Sequence, residues 1–436
     1  MPTPSLHQRL LAWSATWLVA GPAAAVLLAG VAPSALQAQA TEPEVRVLLL
    51  EAGLVPMAAR QQPLVLRAAS QRWELAPGEL VVLQLAAGGL VLERGGAVER
   101  LPQVSELWLE PAARPDGDGA DFQLQQRGYR GRLQLLVGGT AVQAINHVPL
   151  EAYLPSVVGS EMPASWPQAA LRAQAVAART YALRQRKPAA PFDVSATVSS
   201  QVYKGVDAET PSTRQAVAST RGQVLIYGSS LANAVFHSSA GGSTENSGDL
   251  WSQQLPYLVS VPDFDQHSPV HAWEQRLEPE QLQKAFGEIG GAQRIEVLAT
   301  TGSGRVRQAR VIGPRGTLVL TGAQLRSRLG LKSTLVRFEV VAPELASLPP
   351  SLPALPPLPS QLLPSQSSDP EVQAPGQVPL PVQVPPPSLL AIGRGYGHGV
   401  GMSQWGAHGL AQRGQSYDQI LRHYYRGTEL RPYGTP

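Results

Sequence analysis

The sequence predicts an α+β fold, in which a β-rich N-terminal region precedes a mixed α/β domain that carries a proline-rich insertion. Short apolar runs separated by Gly and Pro fill residues 45–140, which is typical of successive strands. An alanine-rich segment with helical periodicity follows at residues 168–186. Fifteen of the 40 prolines lie in residues 343–387, where neither a strand ladder nor a helix interior can form.

The composition restricts the chemistry that is open to this chain. Its 436 residues contain no Cys, which excludes disulfides, thiolate-bound zinc and a thiol nucleophile. Lys and Arg number 35 against 32 Asp and Glu, so the formal net charge is only +3. Because so small an excess produces no strong overall field, we expect no nucleic-acid partner.

The first 40 residues predict a signal peptide, residues 1–40. An uncharged stretch from Leu10 to Val31 follows His7 and Arg9, and the small residues of Ala38-Gln39-Ala40 form a cleavage site. Because the apolar stretch is long, an uncleaved membrane anchor is the alternative. In both cases we expect the protein to be secreted across the cytoplasmic membrane, into the periplasm or cell envelope.

The β-rich region is expected over residues 41–140. Its apolar runs have the length and spacing of short strands bounded by turn-forming residues. The predicted strands are Val45–Leu50, Leu64–Leu66, Leu80–Leu85, Leu90–Leu92, Leu107–Leu109 and Leu133–Val137. No charge cluster or catalytic spacing stands out there, so the chemistry is sought further along the chain.

The main helix is predicted in the next domain, residues 141–342. Ser165 can cap this helix, Pro167 is tolerated in its first turn, and Pro188 follows its end. Small residues on its faces would let neighbouring elements approach closely.

Two different segments complete the chain. Residues 343–388 are predicted to form an extended loop or linker. Order is expected to resume in residues 389–436, which should pack on the core. There, Ser416 and Gln419 form a capping-box pattern at the start of a helix that Gly427 is expected to close.

Glu161 is the strongest candidate for chemistry. It stands between an apolar run and a proline, just ahead of the main helix, and Val157, Met162 and Trp166 flank it. Loss of hydration would raise the pKa of this carboxyl toward the range of a general acid. A nearby helix N-terminus would lower that pKa instead. A capping or salt-bridged glutamate is the alternative.

Several segments around Glu161 form a specific combination of motifs. They are Val148–Leu154, Glu161-Met162-Pro163, Trp166-Pro167, Ala173–Ala182, Gln201–Tyr203, Phe236–Glu245, Leu255–Leu258 and Gly395–Ala407. In this order and spacing they resemble the stage II sporulation protein D family (the SpoIID/LytB domain). The resemblance covers residues 140–265 densely and residues 390–430 again.

The resemblance implies a peptidoglycan lytic transglycosylase. Such an enzyme cuts glycan strands between N-acetylmuramic acid and N-acetylglucosamine, and it leaves a 1,6-anhydro end. By resemblance the catalytic carboxyl is Glu161, and a functionally important arginine is Arg179. A single carboxyl suffices, because it can protonate the glycosidic oxygen and then take the proton of the sugar's C6 hydroxyl. For Arg179, an ion pair that holds its helix in place is the alternative.

Two glycine-rich segments supply the other candidate contacts. Small and hydroxyl-bearing residues after Phe236 could bring backbone amides close to a sugar, and the Gly393–Gly401 run, if extended, presents few side chains on one face. The predicted substrate-binding residues are His237, Ser238, Ser239, Gly241, Gly242, Glu245, His398, Gln404 and Trp405. A turn with a buried histidine is the alternative for the first segment, and packing against the core is the alternative for the second.

We expect no metal and no cofactor. Some family members bind zinc through a Cys-x-x-x-His-Cys cluster, but the aligned positions here are Ser195, Ser199 and Ser200. Serine hydroxyls do not replace thiolate and imidazole ligands.

Two other functions compete with the transglycosylase. The LytB part of the family name suggests a non-catalytic peptidoglycan-binding protein, or an enhancer of an N-acetylmuramoyl-L-alanine amidase. The expected partners are therefore peptidoglycan glycan strands and, under this alternative, a cell-wall amidase. A metal-dependent hydrolase that uses His267, His271 and Asp263 is a weaker hypothesis.

Overall fold

Antiparallel strands fill the first part of the chain. The computed structural model describes residues 42–69, 71–112, 119–341 and 386–434, so the expected signal peptide and most of the proline-rich segment lie outside the described residues. Every strand that the apolar runs predict is present. The strands are β1 (Glu44–Ala52), β2 (Leu54–Ala59), β3 (Leu64–Ala68), β4 (Gln71–Leu75), β5 (Leu80–Ala86), β6 (Gly89–Arg94), β7 (Ala97–Leu101), β8 (Glu106–Pro111), β9 (Phe122–Leu124), β10 (Arg127–Tyr129), β11 (Arg132–Val137) and β12 (Val142–Pro149).

Helices follow these strands, which confirms the α+β class. The α-helices of the described residues are α1 (Leu150–Glu161), α2 (Gln168–Arg184), α3 (Pro211–Ala218), α4 (Ser247–Leu250), α5 (Pro279–Ala285), α6 (Gly322–Leu329), α7 (Gln404–Gln412) and α8 (Tyr417–Tyr424). Short 3-10 helices occupy Gly205–Ala208 and Gly287–Ile289. None of the helices in these ranges is long and apolar enough to cross a membrane.

The remaining strands are short and lie between the helices. They are β13 (Val194–Ser195), β14 (Gln223–Tyr227), β15 (Ser230–Leu231), β16 (Phe236–His237), β17 (Ala272–Leu277), β18 (Arg294–Thr300), β19 (Val306–Gly313), β20 (Gly316–Thr321), β21 (Val336–Val341), β22 (Ser388–Arg394), β23 (Met402–Ser403) and β24 (Glu429–Pro432). Strand β22 lies between β17 and β21, so the chain after the proline-rich segment completes a sheet begun before it.

Two larger sheets organise the N-terminal strands. One has the strand order β13-β1-β12-β11-β8-β3-β4, and the other has the order β10-β9-β2-β5-β6-β7. Alternate side chains of a strand point to the same face, and Val45 and Val47 of β1, like Leu107 and Leu109 of β8, are fully buried in this way. Strand β12 leads directly into helix α1, so the sheet positions that helix.

The described residues contain two hydrophobic cores. The first joins the N-terminal sheets to helices α1, α2, α7 and α8, with Val47, Val157, Ala175 and Ile420 among its members. The second contains Trp273, Phe286 and Leu325 together with Leu389 of β22. The C-terminal segment therefore contributes to both cores.

The ends of two helices differ in part from expectation. Helix α2 begins at Gln168, but Pro167 occupies its N-cap position with φ −54° and ψ 139°, and no side chain caps it. The predicted Ser165 cap is wrong, because Ser165 lies two residues before this position. Helix α8 has the predicted capping box of Ser416 and Gln419, yet it ends at Tyr424, before Gly427.

The glycine run after β22 does not have the extended backbone that the sequence analysis assumed for it. Gly395, Gly397, Gly399 and Gly401 have φ values of 72°, 115°, 89° and 72°. A Cβ on Gly401 would stand 2.2 Å from the carbonyl oxygen of Val235. The run therefore packs against the backbone of the core, as the alternative interpretation held.

Candidate active site

Glu161 is the last residue of helix α1, which contains Pro155 in its interior. The sequence placed Glu161 only ahead of the main helix and missed α1. The consequence is electrostatic, because a helix C-terminus carries partial negative charge and disfavours a carboxylate. The sequence analysis considered a helix N-terminus, which would favour the charged form of Glu161. The helix C-terminus that the structure shows disfavours that form.

Two donors from distant parts of the chain hold the Glu161 carboxyl. The backbone N–H of Val202 donates to Oε1 at 2.9 Å, and Nε2 of Gln404 donates to Oε2 at 3.0 Å. Gln404 begins helix α7, directly after the parallel pairing of β16 with β23 that joins His237 to Ser403. The strand pair therefore brings the C-terminal segment to Glu161.

The pKa of Glu161 is raised above its ordinary value. Burial is the largest cause, because it penalises the charged form. The hydrogen bonds from Val202 and Gln404 and the charge of Lys204 lower the pKa, in that order, without cancelling the burial. A carboxyl of this kind holds a proton at a higher pH than an exposed glutamate and can donate it.

Glu161 opens into a cleft with a volume of about 510 Å³. The cleft lies where α1, the 198–202 loop, β16 and the C-terminal glycine run meet. Its lining consists of Glu161, Tyr181, Val198, Ser199, Ser200, Val202, Val235, Phe236, His237, Ser238, Trp251, Arg326, Tyr396, Gly397, His398 and Gln404. Of the predicted site residues, Glu161, His237, Ser238, His398 and Gln404 thus meet at one cavity.

The two histidines of the cleft are neutral. Nδ1 of His237 donates to the carbonyl of Val400 at 3.2 Å, so Nε2 is the unprotonated nitrogen, and it has no partner. Nδ1 of His398 accepts from the Val400 N–H at 3.1 Å. Burial is the main cause that lowers the pKa of His237 well below its usual value and that of His398 to about 4. Nε2 of His237 is thus a buried hydrogen-bond acceptor without a partner among the described residues, in a histidine that lines the cleft.

Three predicted contact residues are engaged inside the protein instead. The hydroxyl of Ser239 and the N–H of Gly241 both donate to Oδ2 of buried Asp265, the latter at 2.7 Å. A Cβ on Gly241 would stand 2.8 Å from Cβ of Arg394, and Gly242 also faces the Arg394 side chain. Ser239, Gly241 and Gly242 therefore shape the loop and do not line the cleft, which corrects their predicted role as direct contacts.

Glu245 is also placed away from the cleft. Its side chain is 1% exposed, and its oxygens accept from the hydroxyls of Thr301 and Ser303 at 2.5 Å and from the N–H of Asn246 at 2.9 Å. Nε of Arg305 lies 4.0 Å from Oε2. Glu245 therefore ties its loop to the second core, which corrects its predicted contact with substrate.

Trp405 belongs to an aromatic cluster next to the cleft. Its ring centroid lies 4.7 Å from that of Trp166 and 5.5 Å from that of His408. The backbone N–H of Trp405 donates to the carbonyl of Ser238 at 3.0 Å. Trp405 is half-buried and follows Gln404, but it is not among the lining residues.

Arg179 lies in helix α2 and is fully buried. Its Nε and Nη2 donate to both carboxylate oxygens of Glu151 at 2.8 and 2.7 Å. The remaining donors reach the carbonyls of Val217 and Gln223 and the hydroxyl of Thr220. Arg179 does not line the cleft, and it forms the ion pair that the alternative interpretation predicted. Its bidentate pairing with Glu151 occupies the donor groups that a substrate would need.

The serine cluster and the metal-hydrolase residues are separate features. The hydroxyls of Ser195 and Ser199 are 2.7 Å apart, and that of Ser200 is 3.3 Å from Ser195. Asp263 accepts from the hydroxyl of Tyr424 at 2.6 Å and takes part in no metal-ligand group. Within the ranges described above, no group of three His, Cys, Asp or Glu side chains could hold a metal ion.

The sequence analysis missed several residues of this site, among them Val202, Arg326 and Trp251. Val202 acts through its backbone N–H, which no side-chain pattern reports. Arg326 lies on α6 in the second core and reaches the cleft only through the packing of that unit. Trp251, which is 38% exposed, also lines the cleft, and its ring centroid lies 5.9 Å from that of His398.

The fold and the cleft define an α+β protein in which Glu161 is the only acidic residue among the described residues that line the cleft, with its carboxyl held by two hydrogen-bond donors. The family model described as stage II sporulation protein matches residues 138–227. Stage II sporulation protein D of Bacillus subtilis (strain 168) is 30% identical over 310 residues, which are 67% of this chain and 77% of that protein. This chain belongs to the stage II sporulation protein D family.

Two further relatives extend the comparison. Stage II sporulation protein D of Bacillus amyloliquefaciens is 29% identical over 380 residues, which are 82% of this chain and 94% of that protein. A Bacillus subtilis (strain 168) protein named amidase enhancer is 32% identical over 295 residues, which are 64% of this chain and 40% of that protein.

Proposed function

We propose that this protein is a peptidoglycan lytic transglycosylase that cleaves the bond between N-acetylmuramic acid and N-acetylglucosamine during cell-wall remodelling. The observation that carries the proposal is the state of the Glu161 carboxyl. Burial raises its pKa, and Val202 and Gln404 each donate a hydrogen bond to one of its two oxygens. Membership of the family supports peptidoglycan as the substrate class.

The chemistry needs one proton carrier. Glu161 gives its proton to the glycosidic oxygen as the bond from C1 to that oxygen breaks, and the N-acetylglucosamine part leaves with a free hydroxyl. The C6 hydroxyl of the same muramic acid then bonds to C1 and returns its proton to the Glu161 carboxylate. The products are a 1,6-anhydro end and a carboxyl restored to its starting state.

The composition of the cleft supports this single-carboxyl scheme. Among the described residues that line it, Glu161 is the only acid. Hydrolases that use two carboxylates need a second acid, either as a nucleophile or as the base for a water molecule. An internal hydroxyl as nucleophile removes that requirement.

Mass spectrometry of the glycan products tests the proposal. The wild-type protein is expected to release anhydro-muropeptides from purified peptidoglycan, and Glu161→Gln is expected to reduce the release by at least about 100-fold, since general acid catalysis contributes that much. Glu51→Gln, on an exposed position of β1, is the matched control and should act like wild type. Equal release by Glu161→Gln and wild type would remove Glu161 from this role.

An amidase-enhancing function is the second candidate, because a relative of 32% identity carries that name. In this case the protein binds peptidoglycan without cutting it, and a cell-wall amidase is its partner. Addition of wild type or Glu161→Gln would then accelerate a purified N-acetylmuramoyl-L-alanine amidase equally, and no anhydro ends would form. Acceleration that depends on Glu161 would instead indicate that cleavage precedes the amidase step.

We infer that either function is exerted outside the cytoplasmic membrane, in the periplasm or cell envelope. The expectation rests on residues 1–40, which lie outside the described residues. Cell fractionation of full-length protein, compared with a chain that lacks residues 2–40, tests it. Equal export of both chains would remove the signal or anchor assignment.

A further inference from the structure

Arg326 brings an uncompensated positive charge to the cleft. It projects from helix α6 of the second core, and its Nε donates to the carbonyl of Leu331 at 3.1 Å. In the part of the chain that the structure describes, no acidic residue forms an ion pair with it. Burial is the main cause that lowers its pKa. Since an unpaired charge taken out of water is costly, an anion at this place would be stabilised.

The surroundings reinforce the positive potential. Arg326 contributes to the lowered pKa of both His237 and His398, so its charge acts at their end of the cleft. Arg305, which is only 2% exposed, also lowers the pKa of both, although its Nε lies 4.0 Å from Oε2 of Glu245, which offsets part of its charge. The cation whose charge acts on Glu161 is a different one, Lys204. The two ends of the cleft therefore differ in chemistry.

A second pocket adjoins the cleft at Arg326. Its volume is about 350 Å³, and it shares Arg326 and His398 with the cleft. Its other lining residues are uncharged, namely Leu250, Ala323, Ser327, Gly330, Leu331 and Thr334. A ligand group that reached Arg326 could therefore continue into a neutral space beyond it.

We propose that Arg326 binds a carboxylate carried by the glycan, and that, where this carboxylate belongs to a stem peptide, the adjoining pocket receives a further part of that peptide. The inference rests on the proposed function only in taking peptidoglycan as the ligand of the cleft. A peptidoglycan strand offers this chemistry from two sources. One is the free lactyl carboxylate of a muramic acid without a peptide, and the other is a carboxylate of the attached stem peptide.

Equilibrium binding of defined glycans tests the proposal. The protein is full-length Glu161→Gln, so that no ligand is cut during calorimetry. The ligands are a tetrasaccharide of alternating N-acetylglucosamine and N-acetylmuramic acid with free lactyl carboxylates, the same tetrasaccharide with methylamides in their place, and a stem-peptide form. Each ligand is titrated into the Glu161→Gln protein, which is the parent, and into the parent with one further substitution: Arg326→Gln, Arg326→Lys or Arg328→Gln. Arg328 is the matched control, because it lies on the same helix as Arg326, pairs with Glu288 of the 3-10 helix Gly287–Ile289 and does not line the cleft.

The expected result is selective. Arg326→Gln should weaken binding of a carboxylate ligand by at least about tenfold, as for one charge-assisted hydrogen bond, and should leave methylamide binding unchanged. Arg326→Lys should retain part of the affinity, and Arg328→Gln all of it. Loss confined to the free-lactyl glycan identifies the lactyl group as the source, whereas loss confined to the peptide-bearing glycan identifies the stem peptide.

Two outcomes would overturn the proposal. One is equal affinity of the parent protein for all three glycans, the free-lactyl, stem-peptide and methylamide forms, a comparison that needs no change at Arg326 and so holds even if a variant misfolds. The other is an equal loss of affinity for the methylamide glycan and for the carboxylate glycans in a folded Arg326→Gln protein. Failure of the transglycosylase proposal would appear separately, as absence of anhydro ends from the wild type with the binding selectivity intact.

Discussion

Nε2 of Gln404 donates a hydrogen bond to Oε2 of Glu161 at 3.0 Å across a sequence separation of 243 residues. The contact joins the first residue of α7 to the last residue of α1. It lowers the pKa of Glu161 against the larger effect of burial. The C-terminal segment therefore helps to set the acidity of a carboxyl in the other half of the chain.

Loss of this donor should raise the pKa of Glu161 further. For Gln404→Leu we expect the pKa of Glu161 to rise, because one hydrogen bond to the charged form is removed. Titration of the glutamate side-chain carboxyls by ¹³C NMR measures the pKa directly. If Glu161 is the general acid, the alkaline limb of anhydro-end release moves to higher pH by the same amount. Gln412→Leu, at the exposed end of α7, is the control, and an unchanged Glu161 pKa in Gln404→Leu would contradict the assignment.

The Arg179–Glu151 pair should govern stability. Breaking a buried, bidentate pair leaves one charge without compensation, so Arg179→Leu should reduce the free energy of unfolding by about 3–5 kcal/mol in urea denaturation. The double variant with Glu151→Leu should lose less than the sum of the single losses. Arg186→Leu, exposed after the end of α2, should change stability by less than about 0.5 kcal/mol. A stable Arg179→Leu protein without activity would instead indicate a role in the cleft.

Asp263 should make stability depend on pH. Burial and neighbouring Asp265 raise the pKa of Asp263 to about 6, from 3.8. The folded state therefore binds the proton more tightly than the unfolded state, and this contribution is complete below pH 3.8 and lost as the pH rises through about 6. Its size is about 3 kcal/mol at most. In urea denaturation between pH 4 and 7, Asp263→Asn should reduce the decline of the free energy of unfolding with rising pH. The Asn side chain still offers an oxygen that accepts the hydrogen bond of Tyr424. Parallel curves for the two proteins would refute the prediction.

Close packing of the glycine run should make Gly401 intolerant of a side chain. Gly401 and Gly414 have similar φ values, 72° and 82°, but a Cβ at Gly401 would meet the Val235 carbonyl at 2.2 Å, whereas nothing lies within 4 Å at Gly414. Gly401→Ala should therefore cost at least about 3 kcal/mol, and Gly414→Ala about 1–2 kcal/mol from φ alone. Thermal and urea unfolding of both variants measure the difference. Equal losses would mean that the contact with Val235 relaxes freely.

The sequence by itself determined the local elements and the identity of the candidate carboxyl. Apolar runs of strand length, punctuated by Gly and Pro, predicted β1, β3 and β11, because short buried strands alternate with turn-forming residues along the chain. The capping box before α8 could be read directly, since its two side chains bond to backbone groups three residues away. Glu161 stood out through its apolar neighbours and its family motif. Helix α1 was missed, because its internal Pro155 and its mostly buried length leave no clear amphipathic pattern.

Only the tertiary structure decided what each candidate residue contacts. Arg179 and Glu161 come from one family signature, yet one closes a buried ion pair and the other faces a cleft. Three distant segments meet at that cleft. Val202 contributes its backbone N–H, Arg326 comes from the second core, and the short parallel pair of β16 and β23 brings Gln404 there. Residue type and spacing in the sequence predict the interactions of a side chain with residues a few positions away. Which distant groups desolvate it, donate to it or neutralise it depends on long-range packing. This packing sets the pKa of Glu161 and, among the residues that the structure describes, leaves Arg326 without an acidic partner.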